Sequence, residues 1–221
     1  MSHQMTADSA QILDPEDANR VIRGYQLRIV EHGATFASLN SGTIEKQKIR
    51  HHVHASALIG PCPKVLDVGC GLGDFYQHLK ERNRDCQYTG CDIVPEYIAE
   101  CRKRHPEANF QLRNIFREDV GGTYDTIVMS QVLNNKYQKS DNLQVMKTAL
   151  ALAFRYTRIS VSVDMMSTYV DFQNPDLFYY SPEEIFQFAK SITRRVVLRH
   201  DYRPFEFCIQ MFHDAAPHYV P

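Results

Sequence analysis

The chain has 221 residues, of which 43% are hydrophobic and 23% charged, and 25 basic side chains against 26 acidic ones leave a formal net charge of −1. That length buries one core with a small cap beside it, and the balanced charge gives no broad electrostatic footprint for nucleic acid. The first twenty residues, MSHQMTADSAQILDPEDANR, show no apolar secretory segment, and no apolar run approaches the ~20 residues that cross a bilayer; a cytoplasmic protein with a small-molecule substrate, and neither nucleic acid nor membrane as partner, is expected.

Residues 1–13 read as a loose polar tail. Asp14-Pro15-Glu16-Asp17 is a helix start, with Asp as N-cap, Pro at the first helical position and acids in the first turn. This helix is expected to run to about Glu31 and stop at Gly33. A second start at Ser41-Gly42-Thr43-Ile44-Glu45 opens a helix to about Leu58, before Gly60-Pro61-Cys62-Pro63 breaks the chain. Within it, His51, His52 and His54 lack the i, i+4 spacing and intervening carboxylate of a helical zinc pair, so they read as a polar helix face and no metal is expected. The cysteines, at 62, 70, 86, 91, 101 and 208, form no C-x-x-C pair and read as free thiols.

After Pro63 short apolar runs alternate with amphipathic stretches. Strands are predicted at 64–68, 86–93, 109–113, 124–130 and 157–163, and helices at 75–82, 95–105, 140–156 (capped by Ser140 or Asp141) and 181–192. Alternation of this kind implies a parallel sheet with helices on both faces. The last two runs, 194–200 and 205–212, are joined by Asp201-Tyr202-Arg203-Pro204 alone, too short for a parallel crossover. The expected fold is α/β: a Rossmann-like, seven-stranded, mostly parallel sheet ending in an antiparallel hairpin. Residues 1–60 supply a tail and a helical cap, and 61–221 the ligand-binding domain.

The segment Val65-Leu66-Asp67-Val68-Gly69-Cys70-Gly71-Leu72-Gly73-Asp74-Phe75 carries the chemistry. An apolar strand ends in a glycine turn that enters a helix, and such turns let the backbone approach a ligand at the carboxyl edge of an open sheet. The spacing is G-x-G-x-G rather than the dinucleotide G-x-G-x-x-G, and Asp67 stands at the strand end. A pyrophosphate needs amides and positive charge there, whereas S-adenosylmethionine, with a cationic ammonium and sulfonium and no phosphate, suits an acidic border. Asp92 ends the second strand at the distance expected of a ribose-binding acid, with Ile93 beside it. Asn114 and Ile115, after the third strand, are placed to meet the adenine edge, and Ser130 and Gln131, after the fourth, to lie under the cofactor.

These residues resemble the class I S-adenosylmethionine-dependent methyltransferases: VLDVGCGLGDF is similar to that superfamily's first motif and GCDI to its second acidic motif. The resemblance covers about residues 60–212. It implies that Gly69, Gly71 and Gly73 line the methionine part and that Asp92 holds the ribose, with Cys70 in the same turn a further cofactor-binding candidate. An acid is common near position 114, where this chain has Asn.

Methyl transfer is an in-line displacement that needs positioning more than a catalytic dyad. Candidates for catalysis at the same edge are Asn134, Tyr179, Tyr180 and His200, the last as a base near neutral pH. Tyr25, Arg50, Asn135 and Tyr169 are candidates for acceptor contacts, Tyr25, Gln47 and Arg50 for closing the pocket, and Arg50 also for pairing with the cofactor's carboxylate. Tyr169, Phe178, Tyr179 and Tyr180 put aromatic faces, which attract cations, in one loop. The expected reaction is methylation of a small polar metabolite. The alternative is the ring closure of the related azetidine-2-carboxylate synthases, which releases methylthioadenosine, and a third reading is a cofactor-binding subunit without catalysis.

Overall fold

The computed structural model describes residues 12–216; the N-terminal tail up to residue 11 lies outside the described residues. Helix α1 (Pro15–His32) starts as its sequence dictates, with the Asp14 side chain accepting from the Glu16 N–H and the chain leaving through Gly33 at φ 69°. A single 3-10 turn, Phe36–Leu39, follows. Helix α2 (Ile44–Ala55) is capped by the Thr43 side chain, which accepts from the Lys46 N–H, so it begins three residues after Ser41 and ends short of Leu58.

Seven strands then form one sheet: β1 (Lys64–Val68), β2 (Gln87–Asp92), β3 (Asn109–Leu112), β4 (Tyr124–Met129), β5 (Thr157–Met166), β6 (Arg195–Arg199) and β7 (Glu206–Phe212). Their spatial order is β3-β2-β1-β4-β5-β7-β6. Pairings among β1 to β5 are parallel, and β7 runs antiparallel to both β5 and β6, as the short link between them requires. The order reverses between β1 and β4, and a crevice opens there at the carboxyl edge, where open α/β sheets take their ligands.

Four further helices pack on the sheet: α3 (Asp74–Glu81), α4 (Pro95–Arg104), α5 (Asn142–Arg155) and α6 (Pro182–Ile192). One face packs Val65, Val128, Phe75, Leu79, Ile98 and Cys101. The other packs Leu66, Ile127, Val161, Val163, Met146, Leu150 and Ile185. Asp141 is the α5 N-cap, accepting from Leu143 and Gln144. Ser140 instead accepts from the Asp14 N–H, at 2.9 Å, and the buried Asp17 carboxylate takes the N–H groups of Gln138, Lys139 and Ser140. These bonds pin the start of α1 across the loop that follows β4.

Two expectations are corrected. The fifth strand runs three residues further than predicted, to Met166, which puts Asp164 inside it. The histidines of α2 are not a solvated face: His51 and His54 are buried and only His52 is exposed. The cause is the pleat of β5, whose period of two turns Ser160, Ser162 and Asp164 to one side and Val161, Val163 and Met165 to the other. Helix α2 docks on that polar side. His54 Nδ1 lies 2.8 Å from Ser162 Oγ, and Gln210 Nε2 donates to the Val53 carbonyl at 2.8 Å. Buried polar groups demand such partners, so the strand pattern selects the helix that covers it.

Candidate active site

At the carboxyl edge lies a cavity of about 370 Å³, the size of a small-molecule site. Its floor is the turn from β1 into α3. Gly69 (φ 70°) and Gly71 (φ 54°) adopt left-handed backbone, the region that a Cβ disfavours. A Cβ on Gly69 would come within 2.6 Å of Val132 Cγ2, and one on Gly71 within 2.8 Å of Leu39 Cδ2. Asp92 braces this turn. Its Oδ2 accepts from the Gly71 N–H and its Oδ1 from the Val94 N–H, each at 2.9 Å, which leaves each oxygen a further lone pair for a ligand.

Three carboxylates line this end: Asp67, Asp74 and Asp92. Burial pushes the Asp67 pKa up to about 7, against the opposing hydrogen bond from Tyr88, whose hydroxyl donates to Oδ2 at 2.6 Å. Burial likewise raises the Asp92 and Asp74 pKa values. Negative charge held away from water at high cost is stabilised by a cation. A cradle of this kind fits a cationic, phosphate-free ligand.

Of the residues singled out from the sequence, Tyr25, Arg50, Asp67, Gly69, Cys70, Gly71, Asp92, Ile93, Ser130, Gln131, Asn134 and Asn135 line the cavity, as does Gln47. Gln131 adopts φ 60°, held by its N–H donating to Asp164 Oδ1 at 2.6 Å. Both ends of the Asn134 amide are engaged: Nδ2 donates to Gln131 Oε1 at 2.7 Å, and Oδ1 accepts from the Met166 N–H at 3.0 Å. Asn134 is therefore a brace for the floor rather than a free reacting group.

Seven others lie outside the lining. Gly73 caps α3 against His105 and Phe110. Asn114 Oδ1 accepts from the Phe116 N–H at 3.0 Å, and Ile115 belongs to the core. The aromatic loop is turned away from the crevice. Tyr180 is 1% exposed and donates to the Leu133 carbonyl at 2.7 Å. The Tyr179 hydroxyl accepts from the Asn174 N–H at 2.8 Å, and Tyr169 is 58% exposed. His200 packs between Tyr169 and Phe207, its ring centroid 5.9 Å from the first and 6.0 Å from the second. The reason is a bridge between Asn135 and Leu177, which lays residues 167–180 along the rim so that Met166 and Leu177, not the tyrosines, face inward.

The sequence reading missed Asp74, Arg203, Phe205 and Glu206 in the lining. Glu206 is the one ionisable carboxylate of β7, every position of which is buried. That mismatch was the available signal, because an ionised side chain in a buried strand needs a partner. Its partner is Arg50, whose Nη1 lies 3.3 Å from both carboxylate oxygens. Behind them Asp164 pairs with His54, Oδ2 to Nε2 at 3.2 Å, and although burial opposes it, Asp164 holds the His54 pKa up to about 10. Among the described residues no group of three or more His, Cys, Asp or Glu side chains is arranged to hold a metal ion, and no helix is long and apolar enough to cross a membrane.

The seven-stranded, mostly parallel sheet with its antiparallel C-terminal hairpin is the Rossmann-like fold of the class I methyltransferases. Residues 66–152 match the family described as Methyltransferase domain. Rv1506c of Mycobacterium tuberculosis, provisionally named a methyltransferase, is 28% identical over 151 residues, which are 66% of this chain and 90% of that protein. Nodulation protein S of Sinorhizobium fredii is 28% identical over 98 residues, 43% of this chain and 44% of its own length. Among solved structures, the DhpI-SAM-HEP complex superposes with TM-score 0.66 at 14% identity, covering 90% of this chain and 98% of that one. Magnesium protoporphyrin IX methyltransferase from Synechocystis PCC 6803 with bound SAH superposes with TM-score 0.63 at 13% identity, covering 90% and 100%. Residues 66–152 thus match a methyltransferase domain, and the fold is shared with solved methyltransferases.

Proposed function

We propose that this protein transfers the methyl group of S-adenosylmethionine to a small polar metabolite, with α1 and α2 as the cap over the site. The observation that carries the reading is the glycine cradle at the sheet's switch point, lined at that end by Asp67, Asp74 and Asp92. Asp92 would take the ribose hydroxyls on its free lone pairs. Gly69, Cys70 and Gly71 would follow the methionine chain, with Asp67 near its ammonium, Ile93 against the adenine, and Ser130 and Gln131 beneath the sulfur.

When bound, the cofactor supplies an electrophilic methyl on a sulfonium. The protein's part is to hold the acceptor in line and keep water away. Tyr25, Asn135, Met166, Leu177 and Phe205 also line the cavity. Ring closure lacks structural support, since Tyr179 and Tyr180, whose aromatic faces would suit its sulfonium, lie outside the cavity lining.

The test is incubation of the purified protein with S-adenosylmethionine, with and without a pool of small metabolites, followed by mass spectrometry. S-adenosylhomocysteine that forms only with an acceptor is the expected product. Methylthioadenosine without any acceptor would overturn methyl transfer, and no consumption under either condition would leave a binding subunit.

A further inference from the structure

The cavity is polarised. Its acids, Asp67, Asp74 and Asp92, stand at the β1–β2 end, while two guanidiniums, Arg50 from α2 and Arg203 from the β6–β7 turn, stand at the β5–β7 end. Arg50 is 2% exposed. Its Nη2 donates to the Ser41 carbonyl at 2.6 Å and its Nη1 to Glu206. Arg203 Nε lies 3.6 Å from Glu206 Oε1. The Nε atoms of both arginines are buried and have no hydrogen-bond partner, a costly state for a donor unless a ligand completes it.

A charge count points the same way. Asp164 is 3.9 Å from Arg50 Nε, but it is already matched by His54, which its field keeps protonated. That leaves two guanidiniums against the single carboxylate of Glu206, a net positive charge at this end of the cavity. Guanidiniums bind oxyanions by charge-assisted, often paired, hydrogen bonds.

We propose that the methyl acceptor carries an oxyanion, a carboxylate in the first instance, that docks against Arg203 and Arg50 at the β5–β7 end of the cavity. This rests on the cofactor occupying the acid-lined end. The acceptor's anion then fixes its nucleophile toward the cradle, and Glu206 sets the spacing of the two arginines.

Calorimetry on protein saturated with S-adenosylhomocysteine tests this, with 3-hydroxypropanoate and 4-hydroxybenzoate as probes and their neutral amides as controls. The acids are expected to bind at least about tenfold more tightly than the amides, as loss of a charge-assisted contact predicts. Arg203→Gln is expected to erase that preference while S-adenosylhomocysteine affinity stays the same, and Arg203→Lys to restore part of it. Equal binding of acids and amides, no binding of either acid at millimolar concentration, or an undiminished preference in Arg203→Gln overturns the proposal. So does binding of the acids only without S-adenosylhomocysteine, which would assign the arginines to the cofactor's own carboxylate. Failure of the wild type to bind S-adenosylhomocysteine is a separate result that sinks the cofactor reading and this one with it.

Discussion

Replacing Asp92 with alanine tests the cofactor site most directly. The carboxylate is buried, with each oxygen already fixed by one backbone N–H, from Gly71 and from Val94. It is therefore oriented before any ligand arrives, and little further ordering would oppose the proposed bonds to two ribose hydroxyls. Hydrogen bonds to a charged group are worth about 1.5–3 kcal/mol each, but the hydroxyls regain water when the partner is lost. The net loss expected for Asp92→Ala is about 1–3 kcal/mol, or roughly 5–150-fold in Kd. Removing the brace also frees the Gly71 turn, while removing a carboxylate whose pKa burial has raised relieves a desolvation cost. The two act in opposite directions on the ligand-free fold, so Tm should move much less than affinity. Titration calorimetry with S-adenosylhomocysteine, beside thermal melts of the ligand-free protein, separates the effects. Unchanged affinity in a folded Asp92→Ala protein would refute the ribose contact.

Gly69→Ala would drive a Cβ to 2.6 Å from Val132 Cγ2 at φ 70°; strain of roughly 1–2 kcal/mol or more is expected, read as weakened S-adenosylhomocysteine binding, and wild-type affinity would contradict the close-approach argument. His54→Ala strands the Asp164 charge in the core and should cost about 3–5 kcal/mol in chemical denaturation, whereas His54→Met with Asp164→Leu should recover much of that; a single mutant as stable as the wild type would show that the pair holds no net charge. Since the folded His54 pKa, about 10, exceeds its ordinary 6.5, its stabilising contribution is full below about pH 6.5 and fades as pH rises through 10, a slope that should be absent from melts of His54→Met/Asp164→Leu. Asp67 also has a raised folded pKa, about 7 against 3.8, so its contribution is full at low pH and is lost as pH rises through 7. Ligand-free Asp67→Asn should therefore melt with a flatter pH profile between pH 4 and 8 than the wild type, and an identical profile would refute the buried-acid assignment.

The alternation of apolar runs and amphipathic stretches was enough to lay out the sheet and its helices, because a strand buried on both faces and a helix covering it leave opposite signatures in a chain. The four-residue link before β7 dictated the antiparallel hairpin by reach alone. Asp67, the glycine turn and Asp92 were legible for a similar reason: they sit on consecutive local elements, strand, turn and strand end, whose geometry is fixed within a few residues. Arg50, Asp164, Glu206 and Arg203 were not legible as a group. They come from α2, β5, β7 and a turn, more than a hundred residues apart in sequence at the extremes, and no local pattern records which of them meet. Tyr180 and His200 show the converse. Their positions after strands promised access to the edge, but the pairing of Asn135 with Leu177 turned the loop, and burial then claimed Tyr180 for the core. Local periodicity settles which face of an element is apolar; only the packed sheet, through the cost of leaving a buried charge without a partner, settles which polar side chains must find each other.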